Sequence, residues 1–305
     1  MTTSAEHLLA GPWGLPGNLD AELARALEQE DYGTALALLR DTLPPEPSPR
    51  LLVLLAFVRF QDALEVMVTE LVPACQEALA LLERASEAGV PVEAVAPLRE
   101  EVERVLAEET VRELAAERMT PERAEGAPLE EVLEAASRLR ATHPARAAEL
   151  FLLAARQDDP ERAPIHRADA GIALHQAGRT AEARPLLEAA LALDWRTPAL
   201  WQDSLHVDWA GTLLLEQAHA ARDAQAFDTF WAQALAQGRQ LHRPFPSNWL
   251  NQERLLTLLI ARGDGPRATY VATRIEASRH YLPRALAAQV AEARTLARRQ
   301  AGPQA

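Results

Sequence analysis

The chain has 305 residues, 48% of them hydrophobic and 25% charged, with a formal net charge of −13. That is too apolar for a disordered chain and long enough for two compact domains or one elongated array. Its one cysteine, Cys75, excludes an intrachain disulfide and any multi-cysteine zinc site.

Ala, Leu, Glu and Arg dominate, and aromatic residues make up 5%. The summed propensity is strongly helical, with almost no sheet expected. All 31 basic residues are arginine, which fits a coding bias better than a functional choice. The opening "MTTSAEHLLAGPWGLPGN" has neither a basic n-region nor an apolar h-region, and the longest apolar run, 51–58, is too short to span a bilayer. A cytoplasmic protein is expected.

Proline and glycine divide the chain into amphipathic helical segments. Residues 19–30 and 32–43 form a pair ahead of the proline-rich 44–49. The apolar stretch 50–87 follows, with a break expected near Pro73; Cys75 sits in it at core spacing and reads as a buried structural thiol. Residues 92–119 form a charged helix with apolar Leu98, Val102, Val105, Leu106 and Leu114. The turn-like "TPERAEGAP", 120–128, is the expected boundary between an acidic helical region, 1–119, with divergent repeats as one reading of it, and a repeat region, 129–305.

Beyond that boundary the sequence repeats. "HPARAAELFLLAARQDDP" (143–160) superimposes on "GRTAEARPLLEAALALDW" (178–195) at an offset of 35 residues, placing Ala148 on Ala183, Leu152 on Leu187 and Ala155 on Ala190. Self-similarity at such a period marks stacked helix–turn–helix units. The pattern resembles the tetratricopeptide repeat, with a unit of roughly 34 residues. Units then start at Leu129, Pro164, Asp208 and Trp249, at spacings of 35, 44 and 41 residues. The crossing positions hold small residues at Ala136 and Gly171 and at Ala148, Ala183 and Ala268. Leu215, Leu256, Phe227 and Trp231 depart from the pattern, so the third unit's crossing is expected to open. The segment around Tyr32 and Ala35 has features of a further unit. The resemblance implies an all-α superhelix of helix pairs, each unit burying its apolar face on the next and leaving a concave surface lined by first helices.

No catalytic or nucleotide-binding motif is present, so neither enzyme activity, cofactor nor metal is expected. The acidic pairs Glu100/Glu101 and Glu108/Glu109 lie near arginines on a charged helix and read as a solvated face. In the repeat register, Arg140, His175 and His219 occupy one groove-facing position in three successive units, with Glu216 beside them and Arg254 on the next first helix. Such a polar ladder suits an acidic or carboxylate-ended peptide, bound more strongly at mildly acid pH; ordinary exposed polar residues are the alternative. The family's carboxylate clamp is not reproduced, because its site would hold Leu133, Ala168, Thr212 and Glu253.

Trp195, Trp201, Trp209, Trp231 and Trp249 cluster in 195–249, either as core filling or as partner anchors. Charge is uneven: residues 1–128 carry 10 Arg against 24 acidic residues, and residues 239–305 carry 11 against 4. That asymmetry suits attraction within the chain, head-to-tail association of copies or an anionic partner, with solvated helix faces that serve no dedicated partner as the alternative. The leading expectation is a protein- or peptide-binding adaptor or regulatory scaffold using the concave face. The alternative is a nucleic-acid-associated or transcription-regulatory factor using the arginine-rich C-terminal region.

Overall fold

A computed structural model describes residues 11, 13–15, 18–66, 68–279 and 281–301. The opening stretch read for a leader lies mostly outside them. Among the described residues the fold is all-helical, with fifteen α-helices and no strand. They divide into two compact units: Met1–Leu114 with His280–Arg284, and Ala115–Arg279 with Ala285–Ala305.

The first unit contains α1 (Leu19–Glu28), α2 (Tyr32–Thr42), α3 (Pro49–Val66), α4 (Val68–Glu87) and most of α5 (Val92–Glu117). The helices α1 to α4 pack consecutively, α1 on α2, α2 on α3 and α3 on α4. The apolar stretch 50–87 is divided, as expected, between α3 and α4, but the division lies ahead of Pro73, which itself sits inside α4. This proline falls in the second turn, where a missing N–H removes little of the intrahelical ladder. Leu38, Leu39, Leu54, Val58, Phe60 and Leu82 fill the core, and Cys75 is fully buried among them. Burial pushes the Cys75 thiol up to about 11, with the Glu109 carboxylate adding to the rise. Val102 and Val105 of α5 close this core, whereas Leu114 is exposed. On its outer face Arg104 bridges Glu101 at 2.6 Å and Glu108 at 2.7 Å, the solvated ion-pair face that the spacing implies, whereas Glu109, read with them, is buried and pairs with Arg112 at 2.8 Å. The segment after Arg279 also belongs here. The Tyr281 hydroxyl and the Arg284 N–H both donate to Asp41, each at 2.8 Å.

The second unit begins with the short α6 (Pro121–Ala124), followed by α7 (Leu129–Thr142), α8 (Pro144–Gln157), α9 (Ala163–Gln176), α10 (Thr180–Ala192), α11 (His206–Ala220), α12 (Ala224–Gln240), α13 (Trp249–Arg262), α14 (Gly265–Ser278) and α15 (Arg284–Ala301). The pairs α7·α8, α9·α10, α11·α12 and α13·α14 are each closed internally; α7 touches α9, α9 touches α11 and α11 touches α13. Short signals set the helix starts. Asp223, Asn248 and Asp264 cap α12, α13 and α14 through their side chains, and Pro144 and Pro266 occupy first-turn positions that need no donor.

The crossings explain the repeat pattern and its exception. A Cβ at Gly171 would come within 3.0 Å of Leu186, so α9 and α10 meet through a small residue at the expected place. In α11 and α12 Phe227 and Trp231 are buried, and the close approach moves instead to Gly211, whose added Cβ would lie 3.1 Å from Ala234 and 2.9 Å from Phe245. The large residues are accommodated because the small one is displaced by one helical turn. The long connections are filled as well: Trp195 and Phe245 are fully buried, and the Trp195 indole N–H donates to the Ala190 carbonyl at 2.8 Å.

Candidate functional site

The first helices of consecutive pairs carry a row of charged and polar groups built from two similar triads. In each, a half-buried carboxylate sits between a guanidinium and an imidazole taken from different helices.

The first triad is centred on Asp169 of α9. Arg140 of α7 approaches it at 3.7 Å, and His206 of α11 at 3.1 Å through Nε2. The other ring nitrogen, Nδ1, lies 2.6 Å from the Asp203 carbonyl. Both neighbours are acceptors only, so the ring satisfies both solely as a doubly protonated imidazolium. Burial opposes that charge, but the bond to Asp169 and the Asp203 carbonyl outweigh it and raise the His206 pKa above its ordinary value. The ring also stacks on Trp195, with centroids 5.5 Å apart and planes 1° from parallel.

Glu216 of α11 centres the second triad. His175 of α9 meets it at 3.3 Å through Nε2, while His175 Nδ1 accepts from the Gln217 amide at 3.1 Å. Arg254 of α13 grips both Glu216 oxygens in a two-pronged contact, the second arm at 2.8 Å. Desolvation works to raise the Glu216 pKa, but the bonds from His175 and Arg254 prevail and lower it. Such paired, charge-assisted bonds fix planar geometry as well as energy.

Of the five residues singled out from the sequence, His175, Glu216 and Arg254 thus meet in one triad and Arg140 joins the other. His219 stands apart, lining a cavity with Arg222, Arg262 and Asp264. Asp169 and His206 were missed. Neither occupies the register position that aligned Arg140, His175 and His219; the usable signal was their complementary charge on neighbouring first helices.

A third carboxylate, this one fully buried, shapes the approach to α13. Asp208, 1% exposed, accepts from the Ser247 N–H at 2.9 Å, the Ser247 hydroxyl at 2.6 Å and the Asn248 N–H at 2.9 Å. It fastens the connection before α13 to α11.

The tryptophan cluster divides. Trp195 and Trp231 are core, whereas Trp201 and Trp249 are 49% and 44% exposed, the latter under the Arg279 guanidinium at 5.2 Å. The C-terminal arginines are largely engaged: Arg267 pairs with Asp228 and Asp264, Arg279 with Glu253, Arg294 with Glu276, and Arg243 donates to the Ser204 carbonyl. Among the described residues no group of three metal-ligating side chains is found, and no helix is long and apolar enough to cross a membrane. No protein-family model, curated protein or solved structure matches the chain.

Proposed function

We propose that the chain is a tetratricopeptide-like scaffold whose second unit binds a protein or peptide along the first helices of its pairs, the concave side of a superhelical array. The observation that carries this reading is the row from Arg140 to Arg254. Its polar groups are held across four successive first helices by one another, yet keep part of their surface open to solvent. A recognition surface whose side chains are already fixed binds with less ordering cost than one of free surface chains. Exposed Trp201 and Trp249 supply the kind of amphipathic anchor that protein interfaces favour. The nucleic-acid reading has weaker support, because the arginines that motivated it are mostly spent on carboxylates and aromatic rings of the same chain.

The test is capture from native lysate by the full chain and by Arg140→Ala/Arg254→Ala, both checked for wild-type helicity. Loss of a reproducible protein partner by the folded variant is expected. Retention of that partner at the wild-type level overturns the assignment of the row as the binding surface.

A further inference from the structure

His219, Arg222 and Arg262 line one cavity of about 510 Å³ in the second unit and have no ionic partner among the described residues. The pocket is shallow and open to solvent over much of its extent, a shape that can hold one anionic group of a ligand without enclosing the whole molecule. The cavity is formed by the last turns of α11 and α13, the Gly263–Asp264 turn and Gln300 of α15. The other polar groups on its wall are occupied. Asp264 accepts from the Arg267 backbone N–H and pairs with its guanidinium, each at 3.2 Å. The Gln300 side chain donates to the Gly263 carbonyl and accepts from the Gly265 N–H. Arg262 lies over the Phe227 ring at 4.0 Å, which covers one face of its guanidinium without using its N–H donors.

The backbone adds an independent observation. In three of the four pairs the turn between the helices has a left-handed residue, which is Gly178 (φ 76°) in the second pair and Gly263 (φ 75°) in the fourth; the first pair turns at His143 with φ −134°. In the third pair Arg222 holds that place at φ 55°. A side chain there costs about 1 kcal/mol that glycine avoids. Glu30 and His242 also adopt this conformation, so strain alone assigns nothing. Arg222 differs in bringing a guanidinium to a cavity that already holds Arg262 and His219. The field is consistent in sign. The Asp264 carboxylate is offset by its Arg267 partner; the three helix C-termini around the pocket contribute about −0.5 charge each, and the two full guanidinium charges of Arg222 and Arg262 exceed them before His219 takes a proton.

We propose that this cavity is an oxyanion site, taking the phosphate or carboxylate group of a small acidic ligand between Arg222 and Arg262, with His219 as a third donor. It is independent of the binding row on the first helices. Guanidinium groups suit both anions because their paired N–H donors match two oxygens at once. The full chain would be titrated calorimetrically with inorganic phosphate and with citrate, at ionic strength held constant with chloride. Saturable binding of one or both is expected, and which of them binds distinguishes a phosphoester ligand from a carboxylate. Arg222→Gly should weaken it at least about tenfold, as loss of a charge-assisted pair implies, without lowering the melting temperature, since glycine suits the backbone there. Arg262→Met provides a second variant that retains an apolar contact to Phe227. Failure of both probes to bind beyond the chloride control overturns the proposal, as does unchanged affinity in both variants.

Discussion

At the scale of single residues, the two triads pull proton affinities in opposite directions, and this gives the second unit a pH signature. His206 has a folded pKa above its ordinary 6.5, so its contribution is complete below that value and fades as pH rises through the folded pKa. Glu216 is depressed from 4.5; its contribution is complete above that value and fades as pH falls through the folded pKa. Asp158, also lowered despite its burial through its bond with His166, acts in the same sense as Glu216. Both triads are therefore intact between about pH 4.5 and 6.5. Denaturant unfolding measured from about pH 2.5 to 9 should show His206→Gln losing the alkaline decline of the wild type and Glu216→Gln flattening its acid side. Parallel pH profiles for wild type and His206→Gln would mean that the imidazolium contributes nothing to folding.

At the scale of helices, Asp208 shows how one side chain can set the placement of the next pair. Removing it in Asp208→Ala leaves three donors from Ser247 and Asn248 without their acceptor in a buried place. A loss of about 3 kcal/mol is expected, read by denaturant unfolding and accompanied by faster amide exchange at the start of α13. A change under 1 kcal/mol would mean that water replaces the carboxylate freely. The helices themselves were legible in the sequence because their signals are local: proline and glycine punctuate the chain, and Ala148 and Ala183 recur in register. The Asp208 clamp was not, because Ser247 lies 39 residues away and nothing periodic links them. Nor was the displaced crossing at Gly211, since one residue's size says nothing about where its partner helix will meet it. The ladder was half legible. Position in the repeat aligned Arg140 and His175, but which residue of the following helix each would meet depends on how far one pair slides along the next, and so Asp169 and His206 went unseen.

At the scale of the whole molecule, the division into units redistributes the charge that the linear sequence displays as an acidic front and a basic tail. The first unit holds 9 arginines against 21 acidic residues, and the second holds 22 against 23. Nearly all of the net charge of −13 therefore lies in the smaller unit. Like charges crowded on one compact body repel one another, a cost that dissolved ions reduce once the screening length falls below the unit's diameter. The second unit, near neutrality and joined by ion pairs across its first helices, has no such repulsion to relieve. Raising sodium chloride from about 0.02 M, with a screening length of roughly 20 Å, to about 0.3 M, with roughly 6 Å, should stabilise the first unit by about 1 kcal/mol. Hydrogen exchange resolves the two units in the intact chain: α1 to α4 should exchange about fivefold more slowly in the higher salt, while α7 to α14 change little or exchange slightly faster as Arg254–Glu216 and its neighbours are screened. Equal slowing in both units would show that salt acts through general exclusion from the surface, and the charge asymmetry would then have no bearing on stability.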